Sequence, residues 1–130
     1  VADTDKATSA AVARDLSAYF TVTLLRDGSE VLEHLRATTP NLLVLAADLP
    51  LASGIDIANR VRRIRRLQQT PVLLLATPSP YWGDVPPCEL GSHDGVLYRP
   101  FTTLELLKSV GTIMYQRSIS RDGLPFLRGL

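Results

Sequence analysis

Two uninterrupted apolar runs constrain the fold of this chain more than any other feature. Leu42 to Ala47 and Pro71 to Ala76 contain no charged or hydrogen-bonding side chain. Neither run alternates polar with apolar residues, so each suits a strand covered on both faces, as in a parallel sheet with helices on either side. Pro71 stands at the first position of its run, where a strand tolerates a missing N–H. The earlier run passes into Asp48, Pro50 and Gly54, which is turn chemistry at the carboxyl end of a strand. Open α/β sheets place their sites there.

The remaining elements follow from periodicity and punctuation. Val1-Ala2 before Asp3-Thr4-Asp5 reads as the end of an apolar strand and the acidic loop after it. Two residues are fewer than the roughly 5 or 6 of a usual strand, so the natural protein is expected to start several residues earlier. Asp5 can cap a helix over Ala7 to Tyr19 that turns Val12, Leu16 and Tyr19 toward a sheet. Phe20 to Leu25 reads as a short strand closed by Arg26-Asp27-Gly28, and Ser29 to Arg36 as a short helix with Val31, Leu32 and Leu35 inward. A third helix is expected from Gly54 or Ile55, with Ile57, Val61, Ile64 and Leu67 inward. Prolines 78, 80, 86 and 87 leave room for no more than a stub of a fourth helix at 84 to 91. Val96 to Tyr98 is a fifth strand ending at Arg99-Pro100. Thr102 and Glu105 make a capping box for a last helix with Leu104, Leu107, Val110 and Met114 buried, fading near Tyr115 or Arg117.

Strands alternating with helices predict an α/β fold: a flavodoxin-like, doubly wound, five-stranded parallel sheet in the order 2-1-3-4-5, with a degenerate fourth helix. At 130 residues the chain is the size of one domain. Residues 1–117 are assigned to it. Residues 118–130 are a linker or docking arm, with Leu124, Phe126, Leu127 and Leu130 favouring an arm. A hydrophobic content of 45%, a charged content of 21% and a net charge of +1 describe an ordinary soluble domain and exclude a disordered segment. The absence of a long apolar span or a signal-peptide pattern points to a cytoplasmic location and no membrane partner. The lone Cys88 excludes an internal disulfide, and two distant histidines give no zinc spacing.

Taken together, these residues resemble the receiver domain of bacterial two-component response regulators, over about residues 1 to 117. In that family the third strand ends in an aspartate, followed by a proline four residues later and a glycine eight residues later. Pro50 and Gly54 are in place, and both counts return to Ala46. The family's hydroxyl at the end of the fourth strand, five residues after a proline like Pro71, falls on Ala76. Thr77, one residue later, points the other way. The lysine before the proline of the fifth strand is replaced by Arg99, and the switch aromatic three residues earlier by Val96. The acids that hold Mg²⁺ are represented by Asp3 with Thr4, or by Asp3 and Asp5. A receiver works by attack of the aspartate carboxylate on a phosphoryl group, and a methyl group cannot take that role.

The resemblance therefore implies a pseudo-receiver: a signalling module without aspartyl phosphorylation, without a tight metal site or cofactor, and not an enzyme. It would regulate an attached or partner output domain. Homodimerisation through the fourth-helix region, fifth strand and fifth helix is the mode the family suggests. The second reading is a receiver still phosphorylated at Asp48 in a phosphorelay, although Asp48 is better placed to start the loop turn. Arg99 is expected to pair with Asp3 or Asp48. The arginines at 60, 62, 63, 65 and 66 spread around their helix, and a pI of 8.1 falls short of a nucleic-acid binder, so a solvated face is expected. Tyr81 and Trp82, in the proline-rich segment, are candidate anchors for a protein partner, with Arg99 and Phe126 as further candidates. No Gly-rich phosphate loop or nucleophile with an adjacent base supports a flavodoxin-like enzyme or nucleotide binder.

Overall fold

A computed structural model describes residues 1–77 and 94–122, with side-chain surroundings up to Tyr115. The elements are α1 (Lys6–Leu16), α2 (Gly28–Ala37), β1 (Leu43–Ala46), α3 (Gly54–Arg63), a 3-10 turn (Arg65–Leu67), β2 (Val72–Ala76), β3 (Gly95–Tyr98) and α4 (Thr103–Asp122). β1, β2 and β3 form a parallel sheet in that order, with Leu45 opposite Leu74 and Leu74 opposite Val96. Beyond the free edge of β1, Ala2 makes parallel bridges to both Leu45 and Leu25. The spatial sequence is therefore Leu25, Ala2, β1, β2, β3. It is the 2-1-3-4-5 order of a doubly wound sheet, with its first two strands reduced to bridges.

The apolar runs are buried as their lack of alternation requires. Leu73, Leu74 and Leu75 are all fully enclosed, and each contributes on the order of 1.5–3 kcal/mol of hydrophobic stabilisation. Alternate side chains feed two cores. Val44, Leu73, Leu75 and Leu97 pack with Val12 and Leu16 of α1 and Leu106, Val110 and Ile113 of α4. Leu43, Leu45, Val72 and Leu74 pack on the other face with Val31 and Leu35 of α2 and Ile57 and Val61 of α3. This is the period of two carried through a central parallel strand.

Several expectations are corrected. Phe20 to Leu25 is not a strand of its own; it pairs with Val1-Ala2 through an isolated Ala2–Leu25 bridge, with the Val1 amine on Thr23 O and the Leu25 amide on Val1 O. α1 stops at Leu16, leaving Tyr19 70% exposed. α3 ends at Arg63, so Ile64 is 42% exposed while Leu67 reaches the core from the 3-10 turn. In α4 the buried stripe is Leu106, Val110 and Ile113, with Leu107 and Met114 at its margin and Leu104 62% exposed. α4 also runs past Arg117 to Asp122, so the first part of the expected linker is helical. The fourth-helix region, with Tyr81, Trp82 and Cys88, and the arm residues Leu124, Phe126, Leu127 and Leu130 lie outside the described residues.

Candidate functional site

The carboxyl ends of β1 and β3 and the loop after Ala2 converge at one end of the sheet. Ala46 closes β1 there with 1% exposure, and Ala76 closes β2 fully buried. Both present methyl groups. Ala46 is fixed by the ladder, its amide donating to Ala2 O at 2.8 Å, and the next residue, Ala47, donates to Leu75 O at 2.9 Å. Asp48 follows in the turn and is exposed.

Asp3 lies one residue beyond the Ala2 bridge and is 4% exposed. One carboxylate oxygen accepts the Asp5 amide at 3.0 Å, and the other accepts Arg99 Nη2 at 2.7 Å. Arg99 pairs with Asp3 because it leaves β3 beside this loop, its own amide held by Ala76 O at 2.8 Å. The Arg99–Pro100 peptide bond is cis. Asp5 is exposed and caps α1, its Oδ1 accepting from the Ala7 amide at 3.1 Å and its Oδ2 from Thr8 Oγ1 at 2.7 Å. The Thr8 hydroxyl bond, followed by the Thr8 backbone amide, holds the Asp5 carboxyl below its ordinary 3.8.

These residues do not suit a Mg²⁺ ion, which needs several oxygen ligands in near-octahedral geometry. Asp3 spends both oxygens on an arginine and a backbone amide, Asp5 spends both on the helix cap, and Ala46 has none to offer. Among the described residues no cluster of three His, Cys, Asp or Glu side chains could hold a metal.

The loop from Asp48 to Gly54 is shaped by packing rather than by chemistry. Gly28 donates its amide to Pro50 O at 3.0 Å, which ties the start of α2 to this loop. Gly54 opens α3 against the end of β1. A side chain there would collide with the Ala46 carbonyl and come within 3.2 Å of Ala47 Cα. Ser53 caps α3 through its hydroxyl on the Asp56 amide at 3.1 Å. Leu51 stands in the left-handed region with φ of 70 and is 81% exposed.

Val96 is half-buried on the α2 and α3 face, and Tyr98, two residues on, shares that face. The Tyr98 hydroxyl is buried and, among the described residues, has no hydrogen-bond partner. Sequence reasoning stopped at the Val96 position. Period-two alternation from Val96 was the signal that could have placed Tyr98 on the same face.

The arginine-rich segment is not uniformly solvated: Arg62 is half-buried, which corrects the expectation for it, while Arg66 is exposed yet bonded. Arg62 pairs with Asp94, whose side chain is 1% exposed, and donates to Thr70 O at 3.1 Å. Arg66 bonds Leu35 O and reaches Thr38 O at 3.0 Å. Both tie α3 and its 3-10 extension to neighbouring loops, while Arg60, Arg63 and Arg65 are exposed.

The fold matches solved receiver domains. The receiver domain of an HD domain-containing protein from Pseudomonas fluorescens superposes with a TM-score of 0.76, at 22% identity, over 95% of this chain and 90% of that one. CheY4 of Vibrio cholerae gives 0.71 at 21% identity, over 86% and 93%. In sequence, the chain is 28% identical over 123 residues to response regulator MprA of Mycobacterium ulcerans, covering 94% of this chain and 52% of the relative. It is 30% identical over 102 residues to the transcriptional regulatory protein DltR of Streptococcus agalactiae, covering 78% and 44%. The chain thus spans about half the length of these curated relatives. No family model matches it. The architecture is that of the CheY-like, flavodoxin-like receiver. The structural neighbours share the fold, and the sequence relatives support its assignment as a response-regulator receiver domain. Among the described residues no helix is long and apolar enough to cross a membrane.

Proposed function

We propose that this chain is a pseudo-receiver: a signalling module that keeps the receiver scaffold and acts without aspartyl phosphorylation. The observation that carries this reading is Ala46, 1% exposed at the end of β1, where a receiver needs its nucleophilic carboxylate. The Asp3–Arg99 pair supports it. The charge that would neutralise a phosphoryl group is already engaged, and so is the acid that would bind the metal. Such a module regulates an attached or partner output domain through its surface, and its curated relatives, about twice its length, are named as transcriptional regulators and response regulators. The pseudo-receiver unit spans residues 1–117 at least, with α4 continuing to Asp122. Its working place is the cytoplasm.

The test is incubation with a small phosphodonor and Mg²⁺ followed by intact-mass measurement, on the chain as it stands and on Ala46→Asp. Neither should gain a phosphoryl group, because Ala46→Asp restores the nucleophile but neither the hydroxyl at Ala76 nor free metal oxygens. A stable adduct lost in Asp48→Asn would replace this reading with phosphorylation at Asp48. Mg²⁺-dependent phosphorylation of Ala46→Asp would show that the acids at Asp3 and Asp5 still bind metal.

A further inference from the structure

Five arginines stand within the seven residues from 60 to 66, with no acidic residue among them. The whole chain carries a net charge of only +1, so this charge is segregated at the end of α3 rather than shared by a basic protein.

Two of the five serve the fold. Arg62 holds Asp94 through Nε at 2.9 Å and a second contact from Nη2, and it also reaches Gln68 O at 2.6 Å and Thr70 O at 3.1 Å. Arg66 holds Leu35 O, Thr38 O and, at 2.7 Å, the Thr39 hydroxyl at the end of α2. Between these two anchors the helix breaks: Ile64 is extended, with φ of −95 and ψ of 114, and Leu67 enters the core in its place. The break leaves Ile64 42% exposed.

The other three have no such task. Arg60, Arg63 and Arg65 are exposed, and among the described residues none of them forms an ion pair, not even Arg60 with Asp56 one turn before it. Arg60, Arg63 and Ile64 follow the i, i+3, i+4 spacing of neighbours on a helix surface, which sets an exposed apolar side chain beside two uncompensated guanidinium groups. Like charges held this close repel one another, and nothing in the fold offsets the repulsion. The end of α2, held by Arg66, adds Arg36, whose pair with Glu33 is a loose surface contact at 3.8 Å.

We propose that Arg60, Arg63 and Arg65, with Ile64, form a docking surface for an acidic protein segment that carries an apolar side chain among its carboxylates. Arginine binds carboxylates through its planar fork, and an apolar centre with a polar rim is the usual anatomy of a protein interface. A nucleic acid fits less well, because phosphate binding gains nothing from Ile64 and needs a longer stripe of charge than three unengaged arginines supply. This inference deepens the proposed signalling role by naming a partner surface. It does not rest on the absence of phosphorylation, so a phosphoryl adduct would sink that reading and leave this one standing.

The experiment follows fluorescence anisotropy of three labelled probes titrated with the full chain at low ionic strength: a peptide of repeated Glu-Asp-Leu-Glu, the same peptide with Ser for each Leu, and a single-stranded oligothymidylate. The leucine peptide should bind most tightly and should be released by added salt. Arg60→Gln with Arg63→Gln should weaken its binding by about tenfold or more, and Ile64→Ser by about threefold or more. Arg60 and Arg63 hold nothing in the fold, so the double variant should keep the parent Tm. Failure of the leucine peptide to bind, equal affinity in the double variant, or tighter binding of the oligothymidylate would overturn the proposal.

Discussion

Arg99 Nη2 donates to Asp3 Oδ2 at 2.7 Å, joining the end of β3 to the loop after the Ala2 bridge across most of the chain's length. The two side chains are 22% and 3% exposed, so the pair is shielded on its acidic side and open on its basic side. Removing one partner of a buried pair leaves the other charge uncompensated, which is costlier than losing a surface bridge. Arg99→Ala should therefore destabilise the domain by about 2–3 kcal/mol in a denaturant titration. Arg99→Lys should recover part of that, since it keeps the charge and loses the planar fork. A loss within experimental error for Arg99→Ala would mean that the pair is solvated and holds nothing in place.

The buried Tyr98 hydroxyl has no partner among the described residues, while its ring packs on the core. A desolvated hydroxyl without a hydrogen bond costs about 1–3 kcal/mol. Tyr98→Phe keeps the ring and removes the cost, so it should stabilise by about 1 kcal/mol, read as a higher denaturation midpoint with an unchanged slope.

Two helix caps contribute to the acid limb of stability. The Asp5 carboxyl is held below 3.8 by the Thr8 hydroxyl and then the Thr8 amide, and the Asp27 carboxyl below 3.8 by the Glu30 amide. A group whose folded value is depressed binds fewer protons folded than unfolded. Its stabilisation is complete above 3.8 and is lost as the pH falls through the folded value. Stability measured from pH 5 downward should fall less steeply in Asp5→Ser, which keeps a capping oxygen but cannot titrate. An unchanged slope would show that the cap is not formed in solution.

The motif that located the candidate site has a packing explanation that is separate from phosphoryl chemistry. Gly54 is required because α3 begins against the Ala46 carbonyl, and Pro50 supplies the carbonyl that holds Gly28. This packing does not depend on a carboxylate at the end of β1. Gly54→Ala should destabilise by about 1–3 kcal/mol through overpacking of the β1 end, with helix propensity alone predicting the opposite sign. Thermal denaturation distinguishes the two.

Much of the fold was legible because its signals are local. Leu43 to Ala46 and Val72 to Ala76 announce themselves by uninterrupted apolarity, and Asp5 and the Thr102–Glu105 box by capping chemistry, with Glu105 N on Thr102 Oγ1 at 3.1 Å. What was not legible depends on distant partners. Phe20 to Leu25 has strand composition, but whether such a segment is laddered depends on its neighbour, and among the described residues its pairing is the single Ala2–Leu25 bridge. In α4 two apolar stripes share Leu107 and Val110, and which one is buried is decided by packing with α1 and the sheet rather than by spacing along the helix. Arg62 and Arg66 have stems long enough to reach carbonyls across a loop, a possibility that helical spacing does not encode. At the candidate site, the substitutions at Ala46, Ala76 and Val96 could be read from spacing, whereas the engagement of both Asp3 oxygens required coordinates.

The central claim is that the scaffold persists without its phosphorylation chemistry, and intact-mass spectrometry of the chain after exposure to a small phosphodonor with Mg²⁺ tests it most directly. The account predicts an unchanged mass, with Asp48→Asn indistinguishable from the parent. A stable gain of one phosphoryl group, abolished by Asp48→Asn, would contradict it.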